Sequence, residues 1–117
     1  MSNSRNTQYY KLVKKLISTE RLDLLKRVIE PLKPVEIANI LLQLKLQQQL
    51  IVLESLHRET SSEVLNNLQG SPSILGNIVK QMSPDHLSNV IEDIPQDDAA
   101  DFVGLLDDDK ADELLDR

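Results

Sequence analysis

The sequence predicts an all-α fold, a superhelical solenoid of short antiparallel helices with about 12 residues in each helix-turn unit. Three observations support this prediction. The chain is 40% hydrophobic but has one Phe, two Tyr and no Trp, so its core must be aliphatic, and aliphatic residues interrupted by only five Pro and three Gly favour helix over strand. Apolar pairs recur at a nearly constant spacing, and turn-forming residues separate them.

The repeat is defined by pairs of adjacent apolar residues. The pairs are Ile40-Leu41, Val52-Leu53, Val64-Leu65, Ile78-Val79, Val90-Ile91, Phe102-Val103 and Leu114-Leu115. Successive pairs are 12, 12, 14, 12, 12 and 12 residues apart. Further apolar residues before or after each pair complete the i, i+3, i+4, i+7 pattern of an amphipathic helix. This predicts helices of roughly eight to ten residues joined by turns of about two to four, which must pack on one another to be stable.

The segments between the apolar stripes contain residues that begin helices. Ser83-Pro84-Asp85, Pro95-Gln96-Asp97-Asp98 and Asp107-Asp108-Asp109 offer side-chain oxygens for the N-cap and carboxylates for the first turn. In the second segment Asp97 is the predicted N-cap. The single 14-residue step falls at Gly70-Ser71-Pro72, which predicts a loop.

Two further amphipathic helices precede the repeat. Apolar residues from Tyr9 to Ile17 predict a separate N-terminal helix over residues 1–19, and its lysines form either a solvated face or a contact with lipid head groups or a partner. A second stripe, from Leu22 to Ile29, opens a domain over residues 20–117. The chain ends soon after a stripe with no capping helix, which predicts that it is a fragment of a longer protein.

The charge is distributed unevenly. Residues 1–58 contain ten Lys or Arg and five Asp or Glu, a net charge of +5, whereas residues 59–117 contain three and fourteen, a net charge of −11. An acidic surface of this density repels nucleic acid and attracts cations or basic partners, so no nucleic-acid partner is expected. A solvated, solubilising face explains the same charge.

Several functional classes lack the residues they need. The absence of Cys excludes disulfides and thiolate metal sites. The longest apolar run, Leu50–Leu53, is far shorter than a membrane span, so we expect no direct membrane insertion by this chain. His57 and His86 lack a companion at metal-ligand spacing and are predicted to be surface or cap residues. Because no nucleophile–base set or phosphate-binding loop is found, the chain is predicted not to be an enzyme.

The remaining candidates for a function are carboxylates. Asp97 and Asp101 are four residues apart and therefore lie on one face of a helix, with Asp98 on the adjoining face. Like charges at this spacing repel each other unless a cation or a basic group relieves them. Mg²⁺ is typically held by one or two carboxylates and several waters, so this pair offers half of a weak site. A plain solvated face is the alternative.

Three segments resemble the cytosolic N-terminal domain of MgtE-type magnesium transporters. They are Ser83-Pro84-Asp85-His86-Leu87, the PQDDAADFV stretch at 95–103 and the KADELL stretch at 110–115. The similarity covers roughly residues 20–117. The segment 32–37 is similar to the family's His-Pro-x-Asp-hydrophobic entry, with Lys33 in place of the His and Glu36 in place of the Asp.

The resemblance implies a function as well as a superhelical fold. In this family the domain precedes CBS domains and a membrane pore, the transporter is a homodimer, and Mg²⁺ bound between the N-terminal and CBS domains favours the closed pore. The bridging carboxylates of the family match Glu63, Asp97 and Asp101. The resemblance therefore implies a Mg²⁺-sensing regulatory domain at the cytoplasmic face of the cell membrane, with the CBS half of each site absent from this sequence.

A second interpretation keeps the fold and changes the role. The segment 34–68 has the short-helix character of the superhelical units in the flagellar motor switch protein FliG, and a basic half with an acidic half suits head-to-tail association. Under this hypothesis the chain is a protein-interaction scaffold. The residues that continue the natural protein distinguish the two, since a transporter continues into CBS domains and membrane helices.

Overall fold

The fold is that of a computed structural model, which describes residues 2–106, 109 and 112, with side chains from Gln8 onward. The helices are α1 (Ser2–Ser18), α2 (Leu22–Ile29), α3 (Pro34–Leu41), α4 (Leu46–Glu54), α5 (Arg58–Asn67), a 3₁₀ turn (Leu68–Gly70), α6 (Pro72–Lys80), α7 (Pro84–Asp93) and α8 (Gln96–Gly104). Every regular element in these described residues is helical. The predicted all-α class is thus confirmed, and the solenoid arrangement stays a prediction.

Helix lengths and burial agree with the apolar repeat. Helices α2 to α8 are eight to ten residues long. The pairs from Ile40-Leu41 to Ile78-Val79 are buried, and in the next two pairs the first residue is buried and the second half-buried. Burying these stripes between helices stabilises elements that are too short to persist alone. The pair Leu114-Leu115 lies outside the described residues, as do Lys110, Ala111 and the Asp107-Asp108 part of the last junction.

The chain divides into two compact units, and the first is Met1–His57. In this unit α1 packs against α2, α3 and α4, and Val13 and Leu16 are buried there. Gln49 of α4 is 5% exposed, and its Nε2 donates to the carbonyls of Leu41 (2.8 Å) and Leu44 (3.1 Å). The Leu41 carbonyl thereby gains a second donor beside the Leu44 N–H (3.0 Å), and the Leu44 carbonyl, in the turn after α3, is also satisfied. The predicted boundary between residues 1–19 and 20–117 stays a prediction.

The second unit, Arg58–Arg117, positions the acidic residues. Helix α5 packs against α7, the 3₁₀ turn contacts α5 and α6, and α7 contacts α8. Val64, Leu65 and Phe102 are fully buried, and Phe102 is the largest of the buried side chains. No helix in the described part of the chain is long and apolar enough to cross a bilayer.

The predicted start of α7 is correct, and in α8 the carboxylates lie in the first turn as predicted, but Asp97 is not the cap residue. Ser83 is the N-cap of α7, its Oγ accepting from the backbone N–H of His86 (3.2 Å), and Pro84 occupies the first turn. In α8 the first helical hydrogen bond runs from the Ala99 N–H to the Pro95 carbonyl (2.8 Å). Pro95 is therefore the cap residue, and Asp97 lies inside the first turn rather than at the N-cap.

Candidate functional site

Helix α8 presents two of the predicted carboxylates on its outer side. Asp97 and Asp101 are one helical turn apart, and both are exposed. Neither side chain forms a hydrogen bond or an ion pair with any of the described residues. Repulsion between like charges at this spacing costs about 0.2–0.5 kcal/mol, which a bound cation would relieve.

Glu63, the third predicted residue, lies elsewhere in the same unit. It is exposed on α5, where the structure does not place it in a cluster with the α8 pair. Across the described part of the chain, no three His, Asp or Glu side chains are grouped so that they could hold a metal ion. The described residues therefore offer two carboxylates on one helix, which suits an ion that fills its remaining positions with water or outside ligands.

A network of amides fixes the first turn of α8. The Nδ2 of Asn66, on α5, donates to Oδ2 of Asp98 (3.0 Å). The Nε2 of Gln69, in the 3₁₀ turn, donates to the Asp98 carbonyl oxygen (3.1 Å) and to Oδ1 of Asn66 (2.6 Å). Asp98 is half-buried, unlike its exposed neighbour Asp97. We call Asn66, Gln69 and Asp98 the α8 clamp.

A charged network joins α5 to α7 in the same unit. Arg58 donates through Nε to Oδ2 of Asp93 (2.8 Å) and through Nη2 to Oδ1 of Asp93 (3.1 Å) and Oε2 of Glu92 (3.2 Å). The single hydroxyl proton of buried Ser62 is shared between Oδ2 of Asp93 (3.1 Å) and the Arg58 carbonyl (3.0 Å). The Arg58 hydrogen bond lowers the pKa of Asp93, while partial burial opposes that shift. The bidentate pair neutralises this acidic residue.

Neither network has a local sequence signature. Arg58 and Asp93 are 35 residues apart, and Asn66 and Asp98 are 32 apart. Their pairing depends on how α5 packs against the later helices, which helical periodicity does not specify. The 14-residue step of the repeat was the available signal, because the 3₁₀ turn that presents Gln69 forms there.

The two histidines and the entry segment 32–37 have no place in a metal site formed by the described residues. His57 and His86 are exposed, as predicted, and His57 Nε2 lies 4.0 Å from Oε1 of Glu30. Glu36 accepts the backbone N–H of Lys33 (3.0 Å), which satisfies an unpaired donor at the start of α3. At the entry segment, the structure therefore gives Glu36 a role in beginning a helix.

Comparison with known proteins identifies a family whose model matches most of this chain. The family model described as the MgtE intracellular N domain matches residues 32–117. A crystal structure described as the soluble part of a magnesium transporter aligns with 95% of this chain at 12% sequence identity and a TM-score of 0.48. The alignment covers 48% of that structure's chain, so this chain spans about half its length. No curated protein matches the sequence.

Proposed function

The chain belongs to the MgtE intracellular N domain family, and on this basis we propose that it is a Mg²⁺-sensing regulatory domain of a magnesium transporter. Asp97 and Asp101 are the proposed cation ligands on α8, and Glu63 is a further ligand on α5. The family is a regulatory part of a transporter and not a family of enzymes, which accords with the lack of a catalytic set in the sequence.

The observation that supports this function best is the state of the α8 pair. Both carboxylates are exposed, one turn apart and without a basic partner among the described residues, whereas Asp93 in the same unit is neutralised by Arg58. Mg²⁺ prefers oxygen ligands and keeps several waters, so two carboxylates on one helix suit it without a closed protein cage. The residues present therefore fit the proposed ion.

The proposed mechanism is electrostatic. CBS domains of the same polypeptide would supply the other ligands, in a homodimeric transporter at the cytoplasmic face of the membrane. Without Mg²⁺, carboxylates on facing domains repel each other and the domains separate. Shared ions cancel that repulsion and hold the domains together. Shifting a population from 1:99 to 99:1 requires the ions to favour the compact form by about 5.5 kcal/mol, which several weak sites together can supply.

Titration of the 117-residue chain with Mg²⁺, followed by amide NMR at constant ionic strength, tests the ligands directly. The amides around Asp97 and Asp101 are expected to shift in a saturable way, and Asp97→Asn with Asp101→Asn abolishes the shift. The matched control is Asp23→Asn with Glu59→Gln, which removes the same charge from exposed carboxylates on α2 and α5. Equal shifts in wild type and in the α8 double variant would contradict the proposal.

A further inference from the structure

The one irregular spacing in the apolar repeat contains the 3₁₀ turn. The pairs Val64-Leu65 and Ile78-Val79 are 14 residues apart where the others are 12, and the 3₁₀ turn Leu68–Gly70 lies in that interval. This turn brings Gln69 to the first turn of α8. We infer that Asn66 and Gln69 are positioning residues that set the cation affinity of Asp97 and Asp101, an inference that rests on the proposed function.

The α8 clamp fixes both the side chain and the backbone of one residue. The bond from Gln69 Nε2 to Asn66 Oδ1 (2.6 Å) orients the Asn66 amide so that its Nδ2 faces the Asp98 carboxylate. The bond from the same Nε2 to the Asp98 carbonyl (3.1 Å) restrains the helix backbone at that point. Together with the buried Phe102 side chain, two groups on α5 and the 3₁₀ turn therefore fix the rotation of α8 about its own axis at its first turn.

That rotation decides which carboxylates face outward. Successive residues of an α-helix are about 100° apart around its axis, so Asp97 and Asp101 lie within about 40° of each other and Asp98 lies to one side. With Asp98 held towards α5, the other two are exposed as a pair. Loss of the clamp frees the first turn to rotate or fray, and the two carboxylates then lose their fixed spacing to a shared ion.

The clamp also leaves the charge of Asp98 in place. Arg58 both holds and neutralises Asp93, whereas Asn66 holds Asp98 with a neutral amide. The negative charge next to Asp97 and Asp101 is therefore not cancelled, and it adds to the field that attracts a divalent cation. A basic residue at position 66 would keep a hydrogen bond to Asp98 but remove this contribution.

Four single variants and one double variant of the 117-residue chain test the inference in the same Mg²⁺ titration. Asn66→Leu and Gln69→Met remove the amide donors with little change in volume, and Asn66→Lys replaces a neutral donor by a charged one. Asn77→Leu is the matched control, because Asn77 is exposed on α6 and its side chain has no hydrogen bond to any of the described residues. Thermal unfolding and amide hydrogen exchange in α8 are recorded for each variant.

Removing the donors is expected to raise the apparent Kd for Mg²⁺, measured from the Asp97 and Asp101 amides, by about tenfold. This is the size typical of losing a partner that orients a metal ligand. Hydrogen exchange at the start of α8 should rise in the same variants. Asn66→Lys should also weaken binding while the melting temperature is retained, which a merely structural role of Asn66 does not predict. The double variant Asn66→Asp with Asp98→Asn exchanges the amide and the carboxylate, so that position 98 donates the hydrogen bond and position 66 accepts it. Its Kd should return towards that of wild type.

The outcomes separate the two levels of the proposal. If wild type binds Mg²⁺ on α8 but the donor-removing variants bind equally well, or if Asn77→Leu weakens binding as much as Asn66→Leu, the clamp inference is wrong and the proposed function stands. If wild type shows no saturable shift on α8, the proposed assignment of Asp97 and Asp101 as cation ligands is wrong and the clamp has no cation site to position. Retention of wild-type affinity in Asn66→Lys overturns the electrostatic part of the inference.

Discussion

Replacement of Phe102 by Ala tests how α8 is attached to the second unit. Phe102 is the one Phe of the chain, is 0% exposed and is the largest fully buried side chain. Truncating a buried Phe to Ala typically costs about 3–5 kcal/mol, through lost burial and the cavity left behind. For a domain whose total stability is about 5–15 kcal/mol, this is a large fraction of the free energy of unfolding.

Urea unfolding followed by far-UV circular dichroism measures the effect. Phe102→Leu should fall between wild type and Phe102→Ala, since it keeps part of the buried volume. Leu105→Ala is the control on the same segment, because Leu105 is 37% exposed and its truncation should change stability by less than about 1 kcal/mol. A loss below about 1 kcal/mol in Phe102→Ala, or an equal loss in the control, would refute the view that α8 is held by this side chain.

Three further predictions concern side chains that form hydrogen bonds to backbone groups or pair with a charged residue. Gln49→Met should destabilise the chain by about 1–3 kcal/mol in urea unfolding, because it removes the donor to the Leu44 carbonyl and one of two donors to the Leu41 carbonyl, while exposed Gln47→Met should have little effect. Ser83→Ala should cost about 0.5–2 kcal/mol by removing the α7 N-cap, and thermal unfolding that is unchanged would contradict this. Arg58→Met should lower stability at neutral pH, and the gap to wild type should narrow as the pH falls below about 3.9, the ordinary pKa of Asp. The sign follows from the lowered pKa of Asp93, whose stabilising ionised form is lost on acidification, so a gap independent of pH would argue against the ion pair.

The features that could be predicted from the sequence are those with local causes. The apolar pairs specify which side of each helix is buried, because an α-helix repeats its face every three to four residues. The Ser83 cap was predictable because its partner, the N–H of His86, lies three residues away. The exposed pair Asp97 and Asp101 follows from the same periodicity.

The features that the sequence did not predict depend on tertiary packing or on close alternatives. Pro95 and Asp97 both suit a helix start, and only the first helical hydrogen bond distinguishes them. The donors to the Asp93 and Asp98 carboxylates include Arg58 and Asn66 of α5, more than 30 residues earlier in the chain. The acidic residues at the end of α7 and the start of α8 are therefore held differently. Arg58 neutralises Asp93, whereas the Asn66 amide holds Asp98 without neutralising it.

Within the described residues, the Asp97 and Asp101 side chains have no hydrogen-bond or ion-pair partner, and this has an evolutionary consequence. Substitutions at exposed positions that make no internal contact usually change stability by less than about 0.5 kcal/mol. Under the proposed function, a lineage can therefore exchange either residue and alter the metal concentration at which it responds without losing the fold. Asn66, Gln69 and Phe102 are more constrained, because changing them alters the helix on which the response depends.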